Sequence, residues 1–116
     1  MDVHKIDWSK MPWTPVREGV ERKAFSGEGA TVALHRLMPG HEPRPHSHPN
    51  EQIAYIISGT IRFFIAGEAH DVGPGGVIFI PANVEHWGEV IGDEPVMNLD
   101  VFTPRRPEYA KAPQDR

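Results

Sequence analysis

The chain has 116 residues and a mass of 13.0 kDa, which leaves room for one hydrophobic core, so we expect a single domain. It contains no cysteine, so thiolate chemistry is excluded and any bound metal must be held by nitrogen and oxygen ligands. Its 16 acidic and 12 basic residues give a net charge of -4 and are interspersed without a basic stripe, which argues against a nucleic-acid partner.

The apolar runs are short. The longest, such as residues 53–57 and 61–66, are far too short to cross a bilayer, so we expect no membrane partner. Residues 1–8 lack the apolar stretch of a secretory signal, and we therefore expect a cytoplasmic location.

Glycine (11 residues) and proline (12 residues) recur between short runs of β-branched and aromatic residues, a pattern typical of an all-β sandwich or barrel. In chain order, we predict an extended N-terminal arm over residues 1–19, the barrel over residues 20–103 and a polar tail over residues 104–116. The predicted strands cover residues 20–25, 31–37, 52–57, 60–66, 77–80, 86–91 and 96–102. Ser58-Gly59 predicts a tight hairpin, and residues 67–68 and 73–76 predict further turns.

Residues 45–52, with the sequence PHSHPNEQ, have a spacing that suggests metal coordination. In extended backbone, residues two apart project to the same side, so His46 and His48 can present two imidazoles to one ion. Pro45 and Pro49 restrict the backbone on either side and reduce the entropy lost when the ligands are fixed. Such a pair seen alone is more often two solvated loop histidines, so the interpretation needs ligands from elsewhere in the chain.

A further ligand is available at His86, which begins a predicted strand after a turn, a strand and a second turn. The two histidine segments together resemble the two sequence motifs of the cupin superfamily. They read Gly40-x5-His46-x-His48-x3-Gln52-x6-Gly59 and Gly75-x5-Pro81-x-Asn83-x2-His86. The resemblance implies a double-stranded β-helix, or jelly-roll barrel, in which one divalent transition metal ion (zinc, nickel, manganese or iron) is bound by His46, His48, Gln52 and His86.

Three residues depart from the general pattern of that superfamily: Gln52 replaces a glutamate, Asn83 a glycine and Val90 an asparagine. Three imidazoles and one amide would leave the ion its full double charge and make it a stronger Lewis acid. Asparagine tolerates left-handed backbone, so Asn83 is compatible with the motif. Glu51 is the alternative ligand, but strand alternation lets only one of Glu51 and Gln52 point inward, and we predict that it is Gln52.

The last predicted strand alternates between an apolar and a partly polar face. The first face comprises Met97, Leu99 and Val101, and the second comprises Asn98, Asp100 and Phe102. If the apolar face packs against another sheet or a partner subunit, the second face lines the barrel interior near the metal. The alternative is that this polar face meets solvent, since an inward aspartate is costly to bury without a partner or a purpose.

A closer resemblance, carried by residues 18–23, the Glu51-Gln52 pair and residues 99–109, is to the pectin-degradation cupins. It implies conversion of 4,5-unsaturated uronate monosaccharides, released by polysaccharide lyases, to linear keto forms, with Asp100, Phe102 and Arg106 acting at the site. The implied roles are chemically consistent: Asp100 moves a proton, Arg106 binds the substrate carboxylate with its planar fork, and Phe102 forms an apolar wall. Pro107 departs from this family, which has an acidic residue there, and Arg105-Arg106 is alternatively a solvated basic pair.

Two other functions remain open from the sequence. One is a cupin-type non-haem metal dioxygenase, because three histidines with open coordination positions also suit iron. The other is a non-catalytic module that binds a sugar acid or another small molecule. We expect a small-molecule partner and a homodimer, since exposed strand edges and the N-terminal arm favour association.

The remaining histidines are not assigned to the site. His35, in the middle of a strand on the same side as Ala33 and Leu37, is either an outer partner of the site or a substrate contact inside the barrel, or a hydrogen-bonded core or interface residue, and we predict the latter. His4, His41 and His70 fall in the arm or in turns and are predicted to lie at the surface.

Overall fold

A computed structural model describes residues 3–112, which form nine β-strands and one short 3₁₀ helix, Trp8–Lys10. The strands are β1 (Thr14–Arg17), β2 (Val20–Ser26), β3 (Thr31–Leu37), β4 (Glu51–Ser58), β5 (Thr60–Ile65), β6 (Glu68–Val72), β7 (Val77–Ile80), β8 (His86–Ile91) and β9 (Val96–Thr103). All seven predicted strands are present, and their ends differ from the prediction by at most one residue. Among these residues, no helix has the length and apolarity needed to span a bilayer.

The strands form two antiparallel sheets, so the all-β jelly-roll prediction is confirmed. The larger sheet has the order β1-β2-β3-β9-β4-β7, and the smaller has the order β6-β5-β8. The two unpredicted strands, β1 and β6, each lie at an edge of a sheet. Edge strands tolerate proline and charged residues, which is why Pro15 in β1 and Glu68 and Asp71 in β6 gave no strand signal.

The barrel interior is apolar at one end and polar at the other. Buried hydrophobic side chains from both sheets form the apolar end: Val20, Leu37, Ala54, Ile56, Ile61, Phe63, Ile80 and Val96. Further along β4 and β9, the inward positions are instead occupied by Gln52, Asn98, Asp100 and Phe102. Burial of the apolar end favours folding, because removal of nonpolar surface from water is the main driving force. The inward positions at the polar end can therefore be occupied by the side chains of a functional site.

The predicted arm and tail both pack against the sheets. β1 extends the larger sheet into the predicted arm, and Lys23 Nζ donates to the carbonyl oxygen of Trp8 at 2.6 Å. In the predicted tail, Ser26 Oγ donates to the Ala110 carbonyl, and Ala112 is fully buried. The outermost parts of both predicted segments, residues 1–2 and 113–116, lie outside the described residues.

Two backbone features hold in place the loops that carry His46, His48 and His86. Asn83 adopts the left-handed conformation expected for its motif position, with a φ of 63°, and its N–H donates to the His48 carbonyl at 2.8 Å. His46 and His86 form an isolated antiparallel bridge with two backbone hydrogen bonds of 3.1 and 2.9 Å. Backbone contacts alone thus connect the loop before β4 to the start of β8.

Candidate metal centre

Three histidine side chains converge at the polar end of the barrel. The ring nitrogens of His46, His48 and His86 that face one another lie within 4.8 Å, and the ring centroids are 4.4 to 5.6 Å apart. His48 and His86 are buried, whereas His46 is exposed at the rim. The structure therefore brings together the three predicted histidines from two distant segments of the chain.

Backbone carbonyls determine which nitrogen of each ring carries the proton. The Nδ1 atoms of His46, His48 and His86 lie 2.7, 2.9 and 2.9 Å from the carbonyl oxygens of Arg44, Asn50 and Val84, respectively. A carbonyl can only accept, so each Nδ1–H donates and each Nε2 presents a lone pair. His86 Nε2 is buried without a hydrogen-bond partner in the part of the chain that the structure describes. Three lone pairs that point at one another form a set of metal donors.

Gln52 presents a carbonyl oxygen beside these three rings. Its side chain is buried while that of Glu51 is exposed, so the predicted register of β4 is correct. Gln52 Nε2 donates to Asp100 Oδ1 at 2.7 Å, which turns Gln52 Oε1 toward His48 Nε2 at 3.2 Å. Two acceptors at this distance repel each other unless a cation lies between them. The donor set of three imidazoles and one carbonyl oxygen therefore fits a divalent transition metal ion.

The two inner histidines are neutral near pH 7. Burial lowers the pKa of His48, and the nearby Arg106 guanidinium lowers it further. Burial lowers the pKa of His86 to about 4. Because only the neutral imidazole binds a metal, these shifts keep both ligands available in mildly acidic solution.

A cavity opens beside the imidazole cluster, and His46 and His86 line its wall. Among the described residues, Asp100 is the only carboxylic acid in its wall. Asp100 is buried and accepts hydrogen bonds from Gln52 Nε2, His35 Nδ1 and Asn98 Nδ2 at 2.7 to 3.2 Å. Asn98, Asp100 and Phe102 thus face inward as predicted, and the solvent-facing alternative for this side of β9 is wrong.

Arg106 lines the same cavity. Its side chain is only 11% exposed, so it is not half of a solvated pair. The guanidinium carbon lies 4.9 Å from the centroid of the Phe102 ring and 4.0 Å from that of Tyr109. Arg106 Nε and Nη1 are buried without a hydrogen-bond partner among the described residues, and Glu108 forms an ion pair with Nε at 3.5 Å. The guanidinium can therefore accept an anionic ligand from the cavity.

Arg22, His35 and Tyr109 contact one another in the cavity wall, and none of them was assigned to the site from the sequence. His35 is hydrogen-bonded, as predicted, but its partners are Asp100 and Arg22 in the cavity wall. The Arg22 guanidinium lies 3.4 Å from the centroid of the Tyr109 ring. The alternation of β3 places His35 on the same side as Ala33 and Leu37, and this was the available signal for an inward position.

The sequence predicted surface positions for His4, His41 and His70, and only the prediction for His4 is fully correct. His4 is exposed, and His70 is half-buried on β6. His41 is buried, so its predicted surface position is wrong. The loop of Gly19 packs closely against His41, since a Cβ atom built at position 19 would lie 3.1 Å from the Cβ atom of His41. Val90 packs against the apolar core and contributes no ligand.

Comparisons with known proteins agree with this architecture. The family model described as "Cupin domain" matches residues 33–102. Pectin degradation protein KdgF of Dickeya dadantii is 30% identical over 101 residues, which is 84% of this chain and 90% of that protein. Acireductone dioxygenase of Leptospira biflexa is 41% identical over 66 residues, which is 48% of this chain and 37% of that protein.

Solved structures show the same fold. KdgF from Halomonas sp. superposes with a TM-score of 0.80 at 23% identity, covering 93% of this chain and 98% of that one. A RmlC-like cupin from Shewanella frigidimarina superposes with a TM-score of 0.84 at 19% identity, covering 94% and 97%.

The lowered pKa of His86 makes the stability of the metal-free protein depend on pH. Between the folded value of about 4 and the ordinary value of 6.5, the unfolded chain binds more protons, so stability falls as the pH is lowered. We expect chelator-treated protein to lose up to about 3 kcal/mol of unfolding free energy between pH 7 and pH 4 from this residue. Urea denaturation at each pH measures the loss.

The matched variants are His86→Asn, whose amide can still donate to the Val84 carbonyl, and His70→Asn on β6. His86→Asn should make the pH dependence shallower, with the contribution of other groups such as His48 remaining, and His70→Asn should leave it unchanged. If His86→Asn keeps the wild-type slope, His86 is not the group responsible.

Proposed function

Since the chain belongs to the cupin family, we propose that it is a metal-dependent enzyme that converts 4,5-unsaturated uronate monosaccharides to linear keto forms in uronate catabolism. One observation carries the proposal: two of the three convergent imidazoles (His46 and His86), one inward carboxylate (Asp100) and one guanidinium (Arg106) line a single cavity. The similarity to a pectin degradation protein over 84% of the chain supports the choice of substrate class.

His46, His48, Gln52 and His86 would hold the metal, and zinc, nickel, manganese and iron all suit this donor set. When bound, the ion supplies Lewis-acid polarisation of the substrate oxygens. The protein's own contribution at this point is orientation. The three backbone carbonyls that accept from the Nδ1 atoms hold each ring in the plane that directs Nε2 at the common centre.

Arg106 would bind the substrate carboxylate. A guanidinium offers a planar fork that matches a carboxylate. Beside Phe102, Arg106 has buried donors that find no hydrogen-bond partner within residues 3–112. Burial of this cation is costly when its neutralisation is incomplete, and Glu108 lies at a long 3.5 Å with its own side chain largely exposed. A ligand carboxylate would offset that cost, which favours an anionic sugar over a neutral one.

Asp100 would move the proton that the reaction requires. Ring opening breaks the bond between C1 and the ring oxygen, while a proton moves from the anomeric hydroxyl to the ring oxygen to give an enol. Conversion of this enol to a ketone removes a proton from oxygen and adds one to carbon, so a general acid and base must lie at the substrate. Asp100 is the carboxylic acid of the cavity, and three donors hold its two oxygens at a fixed position. Phe102, which packs edge-on against His48, would form the apolar wall beside it.

The similarity to acireductone dioxygenase makes oxygen chemistry the second candidate, although that match covers under half of this chain. Binding of a sugar acid without turnover is the third. The Arg106 site is compatible with an anionic ligand in all three cases. The reaction itself therefore has to be tested.

Activity is tested with the unsaturated uronate that a pectin or alginate lyase releases, by following the loss of its absorbance. Metal-loaded wild-type protein should accelerate this loss without oxygen uptake, and Asp100→Asn should reduce kcat by about 10²- to 10⁴-fold because the proton transfer is lost. No acceleration by the loaded wild type would reject the proposal. Oxygen uptake would favour the dioxygenase, and binding without product would favour the binding module.

Arg105 provides a matched control for Arg106, because it is adjacent in sequence but does not line the cavity. Arg106→Lys removes the bidentate fork and keeps the charge, so KM for the uronate should rise by about 10- to 100-fold. Arg105→Lys should leave KM unchanged. Equal effects of the two substitutions would mean that Arg106 does not contact the substrate.

We also propose a homodimer formed through the outer face of β4 and β7. Five large apolar side chains on this face are 42 to 61% exposed: Ile53, Tyr55, Ile57, Val77 and Phe79. Ile53 lies opposite Phe79 and Tyr55 opposite Val77, so the patch is continuous across the two strands. Patches of this kind on soluble proteins mark interaction sites, and a two-fold axis would bury the same patch on both copies. The N-terminal segment, also predicted from the sequence to favour association, contacts its own chain: Trp13 packs against Lys23 on β2 and Arg36 on β3.

A charge in the centre of this face should dissociate the dimer. We expect wild-type protein to sediment at twice the chain mass and Phe79→Glu to sediment as a monomer, since an unpaired carboxylate would be buried at the interface. Met38→Glu, at an exposed apolar residue outside this face, is the control and should stay dimeric. A wild-type monomer at micromolar concentration would refute the proposed dimer.

A further inference from the structure

Four side chains on four consecutive strands of the larger sheet form one chain of hydrogen bonds. Arg22 on β2, His35 on β3, Asp100 on β9 and Gln52 on β4 are joined in that order. The distances are 2.9 Å from Arg22 Nε to His35 Nε2, 2.8 Å from His35 Nδ1 to Asp100 Oδ2, and 2.7 Å from Gln52 Nε2 to Asp100 Oδ1. This series of hydrogen bonds begins in the cavity wall and ends at the imidazole cluster.

The chemistry of each group fixes the direction of every bond. A guanidinium only donates, so His35 Nε2 must accept from Arg22, and the single proton of the neutral ring then lies on Nδ1. His35 Nδ1–H therefore donates to Asp100 Oδ2. An ionised carboxylate only accepts, so Gln52 must turn its NH₂ group to Asp100 Oδ1. The carbonyl oxygen of Gln52 is left facing His48 Nε2.

We propose that Arg22 and His35 are positioning residues that act through Asp100 to hold the Gln52 carbonyl toward the metal. This inference rests on the metal centre proposed above. An unrestrained glutamine amide has two orientations related by a flip, and in one of them NH₂ would face the ion and could not bind it. His35, two strands away from Gln52, and Arg22, three strands away, stabilise the other orientation.

The same series of hydrogen bonds explains why position 52 is an amide. A glutamate there would place a second carboxylate about 2.7 Å from that of Asp100, and two like charges at that distance disfavour each other's ionised form. An amide can donate to Asp100 with one end and present an acceptor to the imidazole cluster with the other. Position 52 thus needs a residue that is both donor and acceptor.

The test is a double-mutant cycle on the zinc affinity of the full chain, measured by competition with a chromogenic chelator. His35→Leu should weaken zinc binding by about 10- to 100-fold, the usual cost of losing an outer partner of a metal ligand. Gln52→Ala should also weaken binding. Once Gln52 is alanine, His35→Leu should cause no further loss, because the residue on which it acts is gone. A purely structural role of His35 would not produce this non-additivity.

His35→Asn is the conservative variant, because its amide can donate to Asp100 from the position of Nδ1, and it should retain most of the affinity. His70→Leu, outside the cavity, should retain all of it. If His35→Leu fails to fold, Arg22→Met takes its place in the cycle, since it removes the donor and keeps the alkyl stem. It should give a smaller loss that also disappears in the Gln52→Ala background.

The outcomes separate this inference from the proposal on which it rests. Wild-type protein that takes up no zinc overturns the metal centre and the inference together. Wild-type binding with an unchanged affinity in His35→Leu, or an equal loss with and without Gln52, overturns the inference alone.

Discussion

The convergence of three imidazole lone pairs at one end of the barrel is the constraint on which the structure of the site depends. Each lone pair is directed inward because a backbone carbonyl accepts from the opposite ring nitrogen, and the backbone bridge between His46 and His86 joins the two segments that supply the rings. Without a cation, three such acceptors and the Gln52 oxygen would face one another in a partly buried space. The orientation of the donor atoms is therefore stronger evidence for a metal site than the number of histidines.

The two ends of the barrel differ in polarity: one end forms the hydrophobic core and the other forms the cavity. Side chains such as Ile56 and Val96 fill the apolar end and supply the free energy of folding, so the inward positions at the other end can be polar. There, two guanidinium groups, Arg22 and Arg106, pack on the ring of Tyr109, and Asp100 is the anion of the cavity wall. Positive charge thus exceeds negative charge around the cavity, and such a charge balance favours an anionic ligand over a neutral one.

Alternation along strands explains what the sequence could predict. A strand with one buried face has a fixed register, and this is why the inward positions of Gln52, Asp100 and Phe102 were correct. The edge strands β1 and β6 were not predicted because an edge does not require an apolar pattern. The contacts of Arg22 with His35 and of Arg106 with Tyr109 depend on strand order and on the path of the C-terminal segment, both of which are tertiary properties. His41 likewise packs against a neighbour, Gly19, that is distant in sequence.

The metal content of the purified full-length chain tests the central claim most directly. Elemental analysis after loading and dialysis should find one divalent transition metal ion per chain in the wild type and almost none in His86→Ala, provided that circular dichroism shows the variant to be folded. A wild type that retains no transition metal would contradict this account of the site. A folded His86→Ala variant that retains a full equivalent would contradict it equally.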